Sequence, residues 1–130
     1  MADLNPWAIA LAAVSSFLLG GLWYGPLFKH AWCRAAGVDP EKPQGHPARV
    51  FGVAFAMSLV SAAVFAWLLG KDPAILYSIG MGLMVGLGWV ATSFGINYQF
   101  AGRPTVLWLI DSGYHTLQFV LYGVILGLWH

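Results

Sequence analysis

The sequence predicts an all-α membrane protein with four transmembrane helices arranged as an up-down bundle. Its composition points this way, because 59% of the 130 residues are apolar and only 8% are charged. A soluble domain carries about 25% charged residues, so this chain could not cover a surface in water. Four apolar stretches are also long enough to cross a bilayer core of about 30 Å. The length indicates one membrane domain over residues 1–130.

The first predicted span covers residues 6–28. Asn5–Pro6 is typical of a helix N-cap followed by the first helical residue, because proline lacks the amide hydrogen that the first turn leaves unused. Trp7 lies at one end and Trp23 near the other, where aromatic residues act as anchors in the two bilayer interfaces. The helix is expected to bend or stop at Gly25–Pro26. No cleavable signal peptide is predicted, so this span is expected to remain in the mature protein.

Residues 29–47 are predicted to form the cytoplasmic loop. Residues 28–36 have the mixed apolar and basic pattern of a short helix that lies in the interface, and Gly37 is expected to end it. Residues 39–47 have loop chemistry throughout. The other three spans are predicted at residues 48–69, 74–98 and 104–129.

The basic residues predict the orientation. The side of the first and third loops carries five of the six, and the side of both termini and the second loop carries only Lys71. Lys and Arg favour the cytoplasmic side, so both termini are predicted to face outwards. The five are Lys29, Arg34, Lys42, Arg49 and Arg103.

Pairs of glycines four residues apart suggest where helices pack, since small residues let membrane helices approach closely. The pattern is also common by chance, and the lipid alone favours helicity in glycine-rich spans. Gly82 and Gly86 share a face with Ser93 and Asn97, and this face is expected to meet the polar side of span four. Gly123 and Gly127 point away from Asp111 by over about 100° of helical rotation, and this second face is expected to meet another helix or another subunit. Because four spans make a thin bundle with little room for a wet centre, a homo-oligomer is predicted. The pairs are Gly21 and Gly25, Gly82 and Gly86, and Gly123 and Gly127.

Span four carries an acid within its apolar run. Asp111, His115, Gln118 and Tyr122 fall within about 60° of one another on a helix. A carboxylate in hydrocarbon costs a few kcal/mol or more, so this polar stripe must face protein or water. Asp111 can be a proton or cation site, or a counter-charge for a ligand. It can also be a protonated or hydrogen-bonded acid that holds helices together, paired with His115 or with a Tyr, Ser or Asn side chain on a neighbouring helix. His115 can relay protons with Asp111, or simply donate a hydrogen bond to it.

Other chemistry is poorly supported by the sequence. The remaining histidines lie in a loop or at the chain end, so no metal site and no cofactor are predicted. No histidine or acid is placed to activate a serine, so no catalytic set is predicted. A net charge of +1 argues against nucleic acid as a partner. Arg103 is expected to anchor the start of span four in the interface.

Five motifs are distributed over nearly the whole chain: Asn5–Trp7, Trp23–Trp32, Asn97–Pro104, Ile110–Tyr114 and Gly123–Trp129. Together they resemble the bacterial integral membrane family catalogued as domain of unknown function 1761. The part from Arg103 to Tyr114 is the most specific. The resemblance implies a small four-span protein of the bacterial cytoplasmic membrane with no assigned activity. It also supports Asp111, Tyr114, Arg103 and Asn97 as positions to test.

Three functions are compatible with these features. The first is a polar site inside the membrane that passes or senses protons, a cation or a small solute. The second is a structural or accessory subunit in which the polar stripe only specifies helix packing. The third, a small membrane enzyme, is the least supported. The candidate binding or pathway residues are Asp111, His115, Gln118, Tyr114, Tyr122, Ser93 and Asn97.

Overall fold

The computed structural model describes residues 4–41 and 45–130. The predictions that involve Lys42, and the loop assignment of residues 42–44, fall outside the described residues. Within the described part the chain is helical, without strands, and the prediction of an all-α fold is confirmed. The helices are α1 (Pro6–Leu22), α2 (Lys29–Ala36), α3 (Pro47–Leu69), α4 (Ile75–Val85), α5 (Thr92–Phe100) and α6 (Thr105–Leu128).

Two π-helical segments interrupt the long helices. Trp23–Leu27 follows α1, and Gly86–Ala91 joins α4 to α5. In the first segment Gly25 leaves helical geometry, with φ −95° and ψ −105°, next to Pro26. The predicted bend at Gly25–Pro26 is therefore confirmed. The second segment contains no proline, and the sequence analysis did not predict it.

Helix ends follow local chemistry. The Asn5 side chain accepts hydrogen bonds from the backbone amides of Trp7 and Ala8, at 3.0 and 3.2 Å, which caps α1. The short helix α2 forms as predicted and ends at Gly37, whose φ of +74° suits a residue without a Cβ atom. Gly70, with φ +80°, similarly ends α3.

Three helical stretches among the described residues are long and apolar enough to cross a membrane: Pro6–Leu27, Pro47–Leu69 and Ile75–Phe100. These stretches give the chain the character of a membrane protein. Helix α6 has 24 residues but is not among the three. Its polar residues Asp111, His115 and Gln118 lower its hydropathy. Helix α6 also contains more buried residues than any other helix of the described chain.

Glycines bring α4 and α6 into backbone contact. A Cβ atom on Gly82 would clash with the backbone of Phe119, and one on Gly123 would clash with the backbone of Ser78. A Cβ on Gly86 would lie 2.7 Å from the Thr116 Cα atom. Such close approach lets two helices gain dispersion contacts along their length.

This interface differs from the predicted packing. Gly123 and Gly127 were expected on a second face of α6, away from span three, yet both lie against α4, in the same interface where Gly82 and Gly86 lie against α6. Small residues on both helices allow the closest contact, so they share one interface and the polar stripe of α6 lies beside it. By contrast, an added Cβ on Gly21 or Gly25 would meet nothing within 4 Å.

Candidate functional site

Asp111 lies at the centre of the candidate site. The residue is only 8% exposed, and its carboxylate accepts hydrogen bonds from three aromatic side chains. Oδ1 accepts from the Tyr24 hydroxyl at 2.7 Å and from the Trp32 indole Nε1 at 2.9 Å. Oδ2 accepts from the Tyr98 hydroxyl at 2.5 Å. The carboxylate therefore links α6 to three other parts of the chain.

Each donor is positioned by a different element. Tyr24 lies in the π-helical segment after α1, Trp32 is in α2, and Tyr98 is in the second half of the α4–α5 stretch. A fourth contact reinforces the same region, because the Trp23 Nε1 donates to the Ile110 carbonyl at 2.9 Å. Asp111 and its three donors, Tyr24, Trp32 and Tyr98, thus form a polar junction near α2.

The junction leaves the carboxylate with spare capacity. An ionised carboxylate can accept about four hydrogen bonds, and the protein supplies three. All three donors are neutral, and within the described residues no Lys, Arg or His nitrogen lies within 4.0 Å of Asp111. The described residues therefore supply hydrogen bonds to the carboxyl group but no counter-charge in contact with it.

A cleft of about 350 Å³ reaches this carboxylate from the side of α2. Its walls are the aromatic rings of Tyr24 and Trp32, and Lys29 and Cys33 complete its lining. Lys29 is exposed, whereas Cys33 is buried. A small molecule or ion in this cleft would lie beside Asp111 and the rings of Tyr24 and Trp32, which contact each other edge to face with centroids 6.0 Å apart.

His115 does not join Asp111, although the two residues lie one turn apart. Its Nδ1 is 2.6 Å from the Oε1 of Gln118, whose Nε2 donates to the Tyr122 hydroxyl at 2.8 Å. The Tyr122 hydroxyl donates to the Ser58 carbonyl on α3, at 3.3 Å. The predicted polar stripe is thus divided into an Asp111 cluster and a His115 cluster, with no hydrogen bond between Asp111 and His115 in the described chain.

Other predicted residues lie outside both clusters. Tyr114 donates to the Ser16 carbonyl at 2.9 Å, which ties α6 to α1. Ser93 and Asn97 are exposed, line a separate cleft with Trp89, and make no side-chain hydrogen bond to α6. They do not face the polar stripe of α6 as predicted, because α5 presents Phe94 and Tyr98 to α6 instead.

Two predicted anchors have specific contacts. Trp23 donates to Ile110, so it is a packing residue within the protein as well as an aromatic residue near a helix end. Arg103 donates from Nη2 to the Ala36 carbonyl at 3.0 Å and so holds the last turn of α2. Trp7 is 74% exposed, which leaves it free to contact lipid.

The partners of Asp111 were predicted only by type, as a Tyr, Ser or Asn side chain on a neighbouring helix, and the tryptophan partner was not predicted. Tyr24 and Trp32 precede Asp111 by 87 and 79 residues, so helical periodicity could not connect them. The available signal was the set of motifs that resembled a family, because Tyr24, Trp32 and Tyr98 all lie within those motifs. Tyrosine and tryptophan are also the apolar side chains that can donate a hydrogen bond to a buried acid.

Cys33 offers a test of how α2 is held. Replacing Trp32 with phenylalanine removes one hydrogen bond to a carboxylate, which stabilises by about 1.5–3 kcal/mol. We expect α2 to open more often and the rate of maleimide labelling at Cys33, the one cysteine of the chain, to rise about tenfold. Trp67→Phe, on the exposed face of α3, is the matched control and should leave the rate unchanged. An unchanged rate in Trp32→Phe would show that other contacts hold α2.

The described residues contain no group of three His, Cys, Asp or Glu side chains placed to hold a metal ion.

Comparison with known proteins places residues 7–127 in register with one family model, described as "protein of unknown function (DUF1761)". The match covers almost the whole chain. No curated protein and no solved structure matches the chain significantly.

Proposed function

The chain belongs to the DUF1761 family of proteins of unknown function. For this member we propose that it binds a small cation or a proton at Asp111 within the membrane. Through this binding, the protein passes a proton, a cation or a small solute across the membrane, or senses it. No catalytic step is part of this proposal.

The proposal includes α6 as a fourth transmembrane helix. At about 1.5 Å per residue, a helix of its length spans about 36 Å. Its polar residues Asp111, Gln118 and Tyr122 are buried against protein, so these polar side chains do not face lipid. An up-down bundle with both termini outside then places α2, Lys29 and Arg103 on the cytoplasmic side of a bacterial membrane. Because the clefts open at the sides of a thin bundle, we also propose a homo-oligomer.

The absence of a cation in direct contact with Asp111 is the observation that carries the proposal. A buried charge in a protein is normally paired or neutralised, because desolvation costs several kcal/mol. Here the described residues provide three neutral donors to the carboxyl group and no cationic nitrogen within 4.0 Å of it. A proton or a cation from outside would supply the missing charge. The rings of Tyr24 and Trp32 would also favour a cation in the cleft, since aromatic faces attract positive charge.

A structural or accessory role is the second candidate. It is favoured by the fact that the three donors to Asp111 come from three separate elements. In that case the carboxylate serves to join α6 to the rest of the bundle, and no ligand is needed.

Asp111→Asn distinguishes the two roles. Asparagine keeps an oxygen for Tyr24 and Trp32, and its amide can donate to the Tyr98 hydroxyl, so the variant should remain folded. We expect wild-type protein in liposomes to conduct protons, Na⁺ or K⁺, or to be stabilised thermally by one of these cations. We expect Asp111→Asn to lose at least about tenfold of that activity or affinity, because the negative charge is gone.

Asp72→Asn is the matched control. It removes the same charge from an exposed turn at the opposite end of α6, where the side chain is 75% exposed. The control should behave like wild type. Equal conduction and equal cation stabilisation in wild type and Asp111→Asn would refute a role for this carboxylate in binding. If neither protein conducts or binds, and the variant loses its assembly, the structural role is the better account.

A further inference from the structure

The hydrogen bonds of the His115 cluster have a defined direction. The Tyr122 hydroxyl has the Ser58 carbonyl as its acceptor, so it donates there and accepts from the Gln118 amide. Gln118 therefore presents its carbonyl oxygen to His115. The His115 Nδ1 must then carry the proton and donate it to Gln118 Oε1, at 2.6 Å.

This direction leaves the second ring nitrogen of His115 as an acceptor without a partner. In a neutral imidazole with a proton on Nδ1, Nε2 carries a free lone pair. Among the described residues, the buried side-chain nitrogen and oxygen atoms without a partner are only Ser112 Oγ and Thr116 Oγ1. His115 Nε2 also has no partner and is not one of them, so this atom keeps accessible surface.

His115 lines a cleft of about 410 Å³ that is bordered by α1, α3, α6 and Val90. Aromatic and apolar side chains dominate its walls, with Phe17, Met57 and Phe119 among them. On its other side the imidazole stacks on Phe94, with ring centroids 5.1 Å apart and planes at 17°. The ring is therefore held in place, and the cleft has the size and the mostly apolar lining of small-molecule sites.

We infer that this cleft binds a small aromatic molecule that carries one hydroxyl group, of the phenol class, taken from the bilayer. Its hydroxyl donates to His115 Nε2, and its ring packs against Phe17 and Phe119. An acyl chain fits the apolar walls equally well but cannot donate to the nitrogen. The site is separate from the Asp111 site, because no hydrogen bond joins the two clusters, so it does not rest on the function proposed above.

The test uses 2-naphthol and 2-methoxynaphthalene, which differ in whether the oxygen can donate a hydrogen bond. With the protein in lipid nanodiscs, we expect naphthol to bind about tenfold more tightly than the ether, since a site with an acceptor discriminates against a ligand without a donor. His115→Phe, which keeps a ring to stack on Phe94, should abolish this preference. His130→Phe, at the end of the chain, is the control and should keep it.

A second measurement needs no variant. In protein labelled with ¹⁵N at histidine, the His115 Nε2 signal should be that of an unprotonated nitrogen and should shift on addition of naphthol but not of the ether. Equal affinity for the two probes, or a protonated Nε2 in the free protein, would overturn the inference. Neither readout depends on cation conduction, so each result stands apart from the outcome at Asp111.

Discussion

Replacing Asp111 with alanine is expected to lower the free energy of unfolding in detergent by about 3–5 kcal/mol. The hydroxyls of Tyr24 and Tyr98 and the indole N–H of Trp32 would all lose their acceptor. Each buried donor without a partner costs about 1–3 kcal/mol, and part of that cost is recovered where water enters. The measurement is reversible unfolding in SDS and mild detergent, followed by tryptophan fluorescence.

Two variants define what the alanine result means. Asp111→Asn should lose much less stability, because its oxygen still accepts from Tyr24 and Trp32 and its amide can donate to the Tyr98 hydroxyl. Asp72→Ala removes an exposed carboxylate and should have little effect, since a single surface ion pair such as its contact with His130 contributes about 1 kcal/mol or less. An Asp111→Ala variant as stable as wild type would show that the junction with α2 and α5 does not depend on this carboxylate.

The double substitution Gly82→Ala with Gly123→Ala should separate α4 from α6. Each new Cβ would clash with the backbone of the facing helix, at Phe119 and at Ser78 respectively, and a backbone cannot rotate away as a side chain can. Overpacking typically costs about 1–3 kcal/mol per site. We expect a combined loss of at least about 2 kcal/mol in the same unfolding experiment.

Gly80→Ala is the matched control for this interface. Gly80 lies on α4, two residues from Gly82, but an added Cβ there would meet nothing within 4 Å. Alanine is a better helix former than glycine, so this variant should be neutral or slightly more stable than wild type. If the double variant were as stable as Gly80→Ala, the close approach of α4 and α6 in the structure would be incorrect.

The sequence predicted the helices and the central acid because both depend on local patterns. An acid within an apolar run, such as Asp111, is conspicuous whatever surrounds it. Its partners depend on the tertiary fold, since Tyr24 and Trp32 are distant in sequence. Local spacing also could not decide the partner of His115. Asp111 lies four residues before it and Gln118 three residues after it, and both spacings place side chains together on a helix.

The packing face was predicted only in part for a related reason. Helical rotation correctly separates Gly123 and Gly127 from Asp111, but it does not say which helix lies on each side. The structure resolves this by placing the glycines of each helix against the backbone of the other, which leaves Asp111 and His115 to contact other elements. The bend at Gly25–Pro26 was predictable from proline chemistry, whereas the segment Gly86–Ala91 has no such marker.

The π-helical turn at Gly86–Ala91 determines which faces of α4 and α5 point towards α6. A π-helical turn holds about one residue more than an α-helical turn, so the helix beyond it is rotated by about 100° relative to an uninterrupted one. The first half can therefore keep its glycines against α6 while the second half aims Tyr98 at Asp111. Insertion or loss of a single residue here would redirect the hydroxyl of Tyr98 and leave the glycine contact intact. The sequence can therefore change what α5 presents to α6 without changing how α4 packs.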